Sequence, residues 1–85
     1  MSVTIYTRKF CSYCVRAKRL LDDLGVVYHE VPVDRDQEAF ALMQEKSGRR
    51  TVPQIWIGST HVGGCDELMT LHAAGRLQGL LAEPR

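Results

Sequence analysis

Four β-prone residues, Val3-Thr4-Ile5-Tyr6, break at Thr7-Arg8-Lys9 into a stretch where Cys14, Ala17, Leu21 and Leu24 recur at helical spacing. The segment Cys11-Ser12-Tyr13-Cys14 lies on the seam between the two patterns. A strand that feeds a helix through so short a connection opens a β-α-β unit, and the rest of the chain continues that alternation. Gly25 ends the helix, Val26 to Val31 reads as a second strand, and Pro32 puts that strand at an edge of the sheet. Asp34 with Gln37 resembles a capping box for a second helix whose apolar face is Ala39, Phe40, Leu42 and Met43, closed by Ser47-Gly48. Pro53 precedes the run Gln54-Ile55-Trp56-Ile57, and Gly58-Ser59-Thr60 is a turn of hairpin length before His61-Val62. Gly63-Gly64 closes the sheet, and Asp66 is placed to cap a last helix with Leu68, Leu71 and His72 on one face. Gly75 stops that helix, and Leu77, Leu80 and Leu81 dock as a short tail.

The order β-α-β-α-β-β-α predicts an α/β fold in which a four-stranded mixed sheet carries three helices distributed over both faces. The loop after the first strand then lies at a strand's carboxyl end, where open α/β sheets place their sites. With 85 residues there is room for one core, so residues 1–85 are expected to form a single domain, without repeat or linker. Hydrophobic residues at 45% and charged residues at 25% lie near the globular average and exclude a disordered tether.

The net charge of +1 advertises neither nucleic acid nor an anionic membrane as a partner. Its distribution says more, because residues 1–21 hold five cations and no acid, while the remainder holds six cations against ten acids. One end of the molecule is a local positive field. No apolar run approaches the roughly 18–20 residues that span a bilayer, and Met-Ser leads straight into the first strand, so the expected location is cytoplasmic. Three cysteines is an odd number for a secreted disulfide framework, which leaves reactive or metal-binding thiols.

Cys11 and Cys14 form a C-x-x-C whose position matters more than its pattern. A helix start leaves unpaired N–H groups and about half a positive charge facing Cys11, and Arg8, Lys9 and the cations of the first turns add to that field. Both favour thiolate over thiol. Cys14, one turn in, is expected to be less exposed and suited to attack a mixed disulfide on Cys11. A C-x-x-C after the first strand of a β-α-β is the thioredoxin-like redox arrangement. Two alternatives compete: a pair of inert buried thiols, and a zinc site made of Cys11, Cys14, His61 and Cys65. Against zinc stand residues 15–60, whose helix, strand, helix and strand a compact knuckle does not need.

These residues, with Thr51-Val52-Pro53 and Gly63-Gly64-Cys65-Asp66-Glu67-Leu68, resemble the glutaredoxins, and among them the small bacterial dithiol type, over nearly the whole chain. The resemblance implies a glutathione-dependent thiol-disulfide oxidoreductase of thioredoxin-like fold that reduces protein disulfides and glutathionylated mixed disulfides. Cys11 is then the nucleophile and Cys14 the resolving thiol. Pro53 is implied to be cis, although an X–Pro bond taken alone is expected trans. The backbone of Val52 would pair with the cysteine residue of glutathione, beside Thr51. Arg8 would meet the glycine carboxylate, the N–H groups of Cys65 and Asp66 would receive the γ-glutamyl carboxylate, Gly64 would let the chain come close, and Tyr13 would flank the ligand and shield Cys11.

Three departures from the family pattern stand out. Ser12 replaces the proline most dithiol members carry between the cysteines, a change associated in the family with members that hold a [2Fe-2S] cluster between two subunits. A cluster-carrying, glutathione-bridged dimer ligated by Cys11 is therefore the alternative function; otherwise a monomer without resident metal is expected. Phe40 stands where many members have a polar residue for the glycine carboxylate, a contact that Arg49 can take over. Cys65 is an additional thiol, read as a spectator. Trp56, Tyr6 and Tyr28 read as structural, and His29, His61 and His72 as surface or interface histidines.

Overall fold

A computed structural model describes residues 2–82. Its strands are β1 (Val3–Thr7), β2 (Tyr28–Pro32), β3 (Gln54–Ile57) and β4 (Thr60–Gly63), and its helices are α1 (Ser12–Asp23), α2 (Gln37–Ser47), α3 (Cys65–Ala73) and α4 (Leu77–Ala82). The sheet order is β2-β1-β3-β4, with β1 parallel to β2 and antiparallel to β3, and β3 antiparallel to β4. The expected mixed sheet is thus present, with Pro32 on an edge strand. The leucine tail is itself helical, which makes α4 a fourth, short helix.

Alternation along the two central strands divides the interior. Val3 and Ile5 of β1 and Ile55 and Ile57 of β3 face one side, where they pack with Ala17 and Leu21 of α1, Cys65 and Leu68 of α3, and Leu77 of α4. Tyr6 and Trp56 face the other side and pack with Val33 and Met43. Leu42, expected in the apolar face of α2, is exposed, so that face is Ala39, Phe40 and Met43. His72 is likewise exposed rather than packed beside Leu68.

Local hydrogen bonding corrects three boundaries. At the end of α1 the Gly25 N–H bonds to the Asp22 carbonyl and the Val26 N–H to the Leu21 carbonyl, with Gly25 at φ 71°. This Schellman arrangement commits the Val26 N–H to the helix, and β2 begins at Tyr28 rather than Val26. The cap of α2 is Asp36, whose side chain accepts from the Ala39 N–H at 3.0 Å. Asp34 instead accepts the Lys9 N–H at 3.0 Å, because the Val33 N–H still bonds to the Thr7 carbonyl and the turn from Val33 to Asp36 delays the helix. The N-cap of α3 is Gly64 and not Asp66; the Glu67 carboxylate reaches back to accept the Gly64 N–H at 2.6 Å.

Candidate functional site

Because β1 and β3 run antiparallel, the carboxyl end of β1 and the amino end of β3 lie at the same edge of the sheet, with Tyr6 opposite Gln54. The loops beyond these ends meet there. Cys11 is the N-cap of α1, in extended conformation, and its sulfur accepts the Cys14 N–H at 3.2 Å. That N–H is one of the donors a helix start leaves unpaired. On its other side Cys11 Sγ lies 3.8 Å from the Val52 carbonyl oxygen, the residue before the cis Val52–Pro53 bond.

The three thiols differ sharply. Cys11 is partly exposed, whereas Cys14 and Cys65 are 2% and 4% exposed. Burial, followed by a side-chain hydrogen bond to Cys11, pushes the Cys14 thiol up to about 12. Burial also raises Cys65, whose side chain packs with Leu68 and Leu77 under the sheet while its backbone opens α3. Among the described residues no three His, Cys, Asp or Glu side chains gather as a metal site, and Cys11, Cys14, His61 and Cys65 are not brought together as zinc ligands.

A cleft of about 320 Å³ opens beside Val52, between Thr51 and Pro53 on one wall and Gly64, Cys65 and Asp66 on the other, with Tyr13 at one end. These residues belong to the set expected from the sequence and come from three distant parts of the chain. Arg8 is not among the lining: its guanidinium stands 5.7 Å over the ring of Phe40. Arg49 is in the lining, and its Nη1 lies 3.1 Å from the Glu67 carboxylate. The Gly64 N–H, and next the Arg49 cation, hold the Glu67 carboxyl below the usual carboxylate range. An added Cβ at Gly64 would lie 3.3 Å from the Pro53 carbonyl oxygen, which records how closely the two walls approach.

Three residues that hold the walls of the cleft escape the sequence reading. Glu67 ties Gly64 to Arg49 across the cleft, and its position three residues after a helix-starting glycine was the available signal. Gln54, fully buried, donates from Nε2 to the Thr51 carbonyl at 3.1 Å and to its hydroxyl at 3.3 Å. His61 completes the chain, with its Nε2 2.8 Å from Gln54 Oε1. His61 is half-buried: it stacks on Trp56 at 4.6 Å between ring centres, and burial and then the Arg49 cation lower its basicity. A polar residue in an apolar strand was the only hint, and its partners lie on another strand and a loop.

Comparison with known proteins places this arrangement. The family described as Glutaredoxin matches residues 3–62. A glutaredoxin of Pseudomonas aeruginosa is 52% identical over 80 residues, which covers 94% of this chain and 95% of the relative. The solution structure of a glutaredoxin from Brucella melitensis superposes with a TM-score of 0.85 at 52% identity, over 95% of this chain and 88% of that one. A buckwheat glutaredoxin, solved as a complex with glutathione, superposes with a TM-score of 0.86 at 35% identity, over 93% of this chain and 74% of that one.

Proposed function

Since the chain belongs to the glutaredoxin family, which implies thiol oxidoreductase activity, we propose that it is a glutathione-dependent enzyme reducing glutathionylated mixed disulfides and protein disulfides. The observation that carries this reading is the placing of Cys11 Sγ between the Cys14 N–H and the Val52 carbonyl, beside a cleft with polar walls.

Glutathione occupies that cleft in an extended form. Its cysteine residue pairs with the Val52 backbone beside Thr51 and Pro53, and Gly64 allows the close approach. Its γ-glutamyl carboxylate faces the N–H groups of Cys65 and Asp66 at the start of α3, and Tyr13 covers the sulfur side. Arg49, the lining cation, receives the glycine carboxylate.

In the first route the Cys11 thiolate attacks the glutathionyl sulfur of a mixed disulfide, a Cys11–glutathione disulfide forms, and the substrate leaves as thiolate. A second glutathione thiolate then attacks that disulfide, releasing oxidised glutathione and restoring Cys11. In the second route Cys11 opens a protein disulfide, Cys14 gives up its proton and attacks Cys11 Sγ, the substrate leaves reduced, and a Cys11–Cys14 disulfide remains for glutathione to reduce.

Paired variants provide the test: Cys11→Ser abolishes both activities, whereas Cys14→Ser keeps deglutathionylation and loses protein-disulfide reduction. Loss of both in Cys14→Ser would refute the division of labour. Arg49→Ala raises the KM for glutathione by about tenfold, the size of one exposed charge-assisted contact. The cluster carrier rests on the same Cys11, since each chain brings that one thiolate and glutathione must complete the ligand set. Visible absorbance in anaerobically purified protein would favour it, whereas Cys14 held against Cys11 favours disulfide exchange.

A further inference from the structure

Protein-disulfide reduction requires Cys14 to part with its proton, and few groups favour that. Burial and then the side-chain bond to Cys11 push the thiol up to about 12, and against them stand the Arg8 backbone N–H and the Lys18 ammonium. Lys18 follows Cys14 by one turn of α1, so the two side chains leave the helix on one face. Of the five cations in residues 1–21, Lys18 alone is half-buried; Arg8, Lys9, Arg16 and Arg19 are exposed.

The sheet fixes where that charge sits. Lys18 Nζ lies 3.0 Å from Glu30 Oε2 on β2, and the same oxygen accepts the hydroxyl of Thr7 at 2.7 Å, a buried side chain at the end of β1. With side chains 30% and 36% exposed, the ion pair contributes little to stability. It does hold a flexible four-carbon stem in one place. A second cleft, of about 410 Å³, is lined by Cys14, Lys18, Glu30 and Thr7 together with Cys11, and it shares no residue with the cleft beside Val52. A proton leaving Cys14 has water to receive it there, beside the lysine charge.

We propose that Lys18, oriented by Glu30 and Thr7, is the positioning residue of the resolving step, its charge supporting the Cys14 thiolate while that sulfur attacks the mixed disulfide on Cys11. This rests on the second route, in which Cys14 resolves. In the step the Cys14 proton passes to water in the cleft and a bond forms between the Cys14 and Cys11 sulfurs. The bond from Cys11 to the substrate sulfur breaks with its electron pair on the substrate, and the released thiolate takes up a proton. The first route, in which Cys14 takes no part, is independent of Lys18. Thiolate gained from a nearby charge outweighs the accompanying loss of nucleophilicity, so the rate rises about threefold for each tenfold gain in thiolate.

The test follows a single closure on the full chain. Reduced protein is mixed with oxidised glutathione and quenched with acid at intervals, and conversion of the Cys11–glutathione disulfide into the Cys11–Cys14 disulfide is read by mass spectrometry between about pH 6 and 9. Across that range the Glu30 bond keeps Lys18 charged, and the Thr7 bond, then Lys18, keeps Glu30 ionised. The other charged or titratable groups facing the pair are Arg8, Lys9 and Asp34 along the cleft and Tyr28 on β2, whose phenol burial and then Asp22 keep neutral. Closure by Lys18→Met is expected to be about threefold to tenfold slower than wild type, with its profile displaced toward higher pH, and Lys18→Arg restores both. Turnover of the glutathione mixed disulfide of a small thiol, which uses the first route alone, is unchanged in both variants and shows them folded. Equal closure in wild type and Lys18→Met, a loss that Lys18→Arg does not rescue, or an equal fall in the first route would overturn the role of Lys18. A wild-type chain that forms the Cys11–glutathione disulfide and never closes would refute the second route itself.

Discussion

Replacing Gln54 by leucine tests whether the buried amide holds the cleft wall. The side chain is 0% exposed, and its three hydrogen bonds join Thr51 at the cleft to His61 on β4. Thr51 is exposed, so its carbonyl and hydroxyl exchange the lost bonds for water. His61 is partly buried against Trp56 and is left with an unpaired ring nitrogen. Two bonds traded for water and one stranded group amount to about 2–4 kcal/mol, from about 0.5–1 per exchanged bond and about 1–2 for the nitrogen. The leucine side chain, more apolar than the amide it replaces, returns about 1 kcal/mol. The net loss of about 2 kcal/mol lowers Tm by about 8–16 °C for a domain of this size. Thermal unfolding followed by circular dichroism measures it. A coupled glutathione assay is expected to show a raised KM as the Thr51 wall loosens, while Cys11 alkylation is unaltered. A Tm within about 2 °C of wild type, below the shift of even a modest destabilisation, would show that the relay carries no load.

Four further outcomes are expected. Brief iodoacetamide treatment of the reduced native protein labels Cys11 alone, as read by peptide-mapping mass spectrometry; labelling of Cys14 or Cys65 at the same rate would contradict their burial. The folded state holds the Cys14 proton up to about 12, so Cys14 contributes stability that is intact below the ordinary thiol range and declines above it, a decline absent in Cys14→Ser. Glu67→Ala loses the Gly64 cap and about 1 kcal/mol, or about 4–8 °C in Tm, whereas Glu67→Gln still accepts the Gly64 N–H and loses only a half-exposed ion pair. Because the Glu67 carboxyl is held low, its contribution is present above the usual carboxylate range and lost as the pH falls below about 4, where wild type and Glu67→Gln converge in urea titrations.

What could be read from the chain follows the range of the forces involved. Cys11 and Cys14 at a strand-to-helix seam, the stripe Cys14, Ala17 and Leu21, and the stop at Gly25 are written in neighbours a few positions apart, and each is found where expected. Asp34 and Asp36 are equally good caps locally; a hydrogen bond from Val33 back to Thr7, in another strand, decides between them. Arg8 and Arg49 are both cations near the site in sequence or by analogy, yet only the folded chain shows Arg49 in the lining and Arg8 over Phe40. The Gln54 relay needs β4 to bring His61 alongside, a contact no local pattern announces.

The antiparallel pairing of Tyr6 with Gln54 serves as a ruler for the chemistry. Each residue of a strand advances about 3.3 Å, so a two-residue slip of β3 against β1, the smallest that preserves the inward faces, would carry Val52 about 7 Å from Cys11. Length changes in the exposed turn of residues 34 to 36 leave that ruler intact. A single insertion within either central strand does not, and the tolerance of the enzyme to indels is thereby divided at the strand ends.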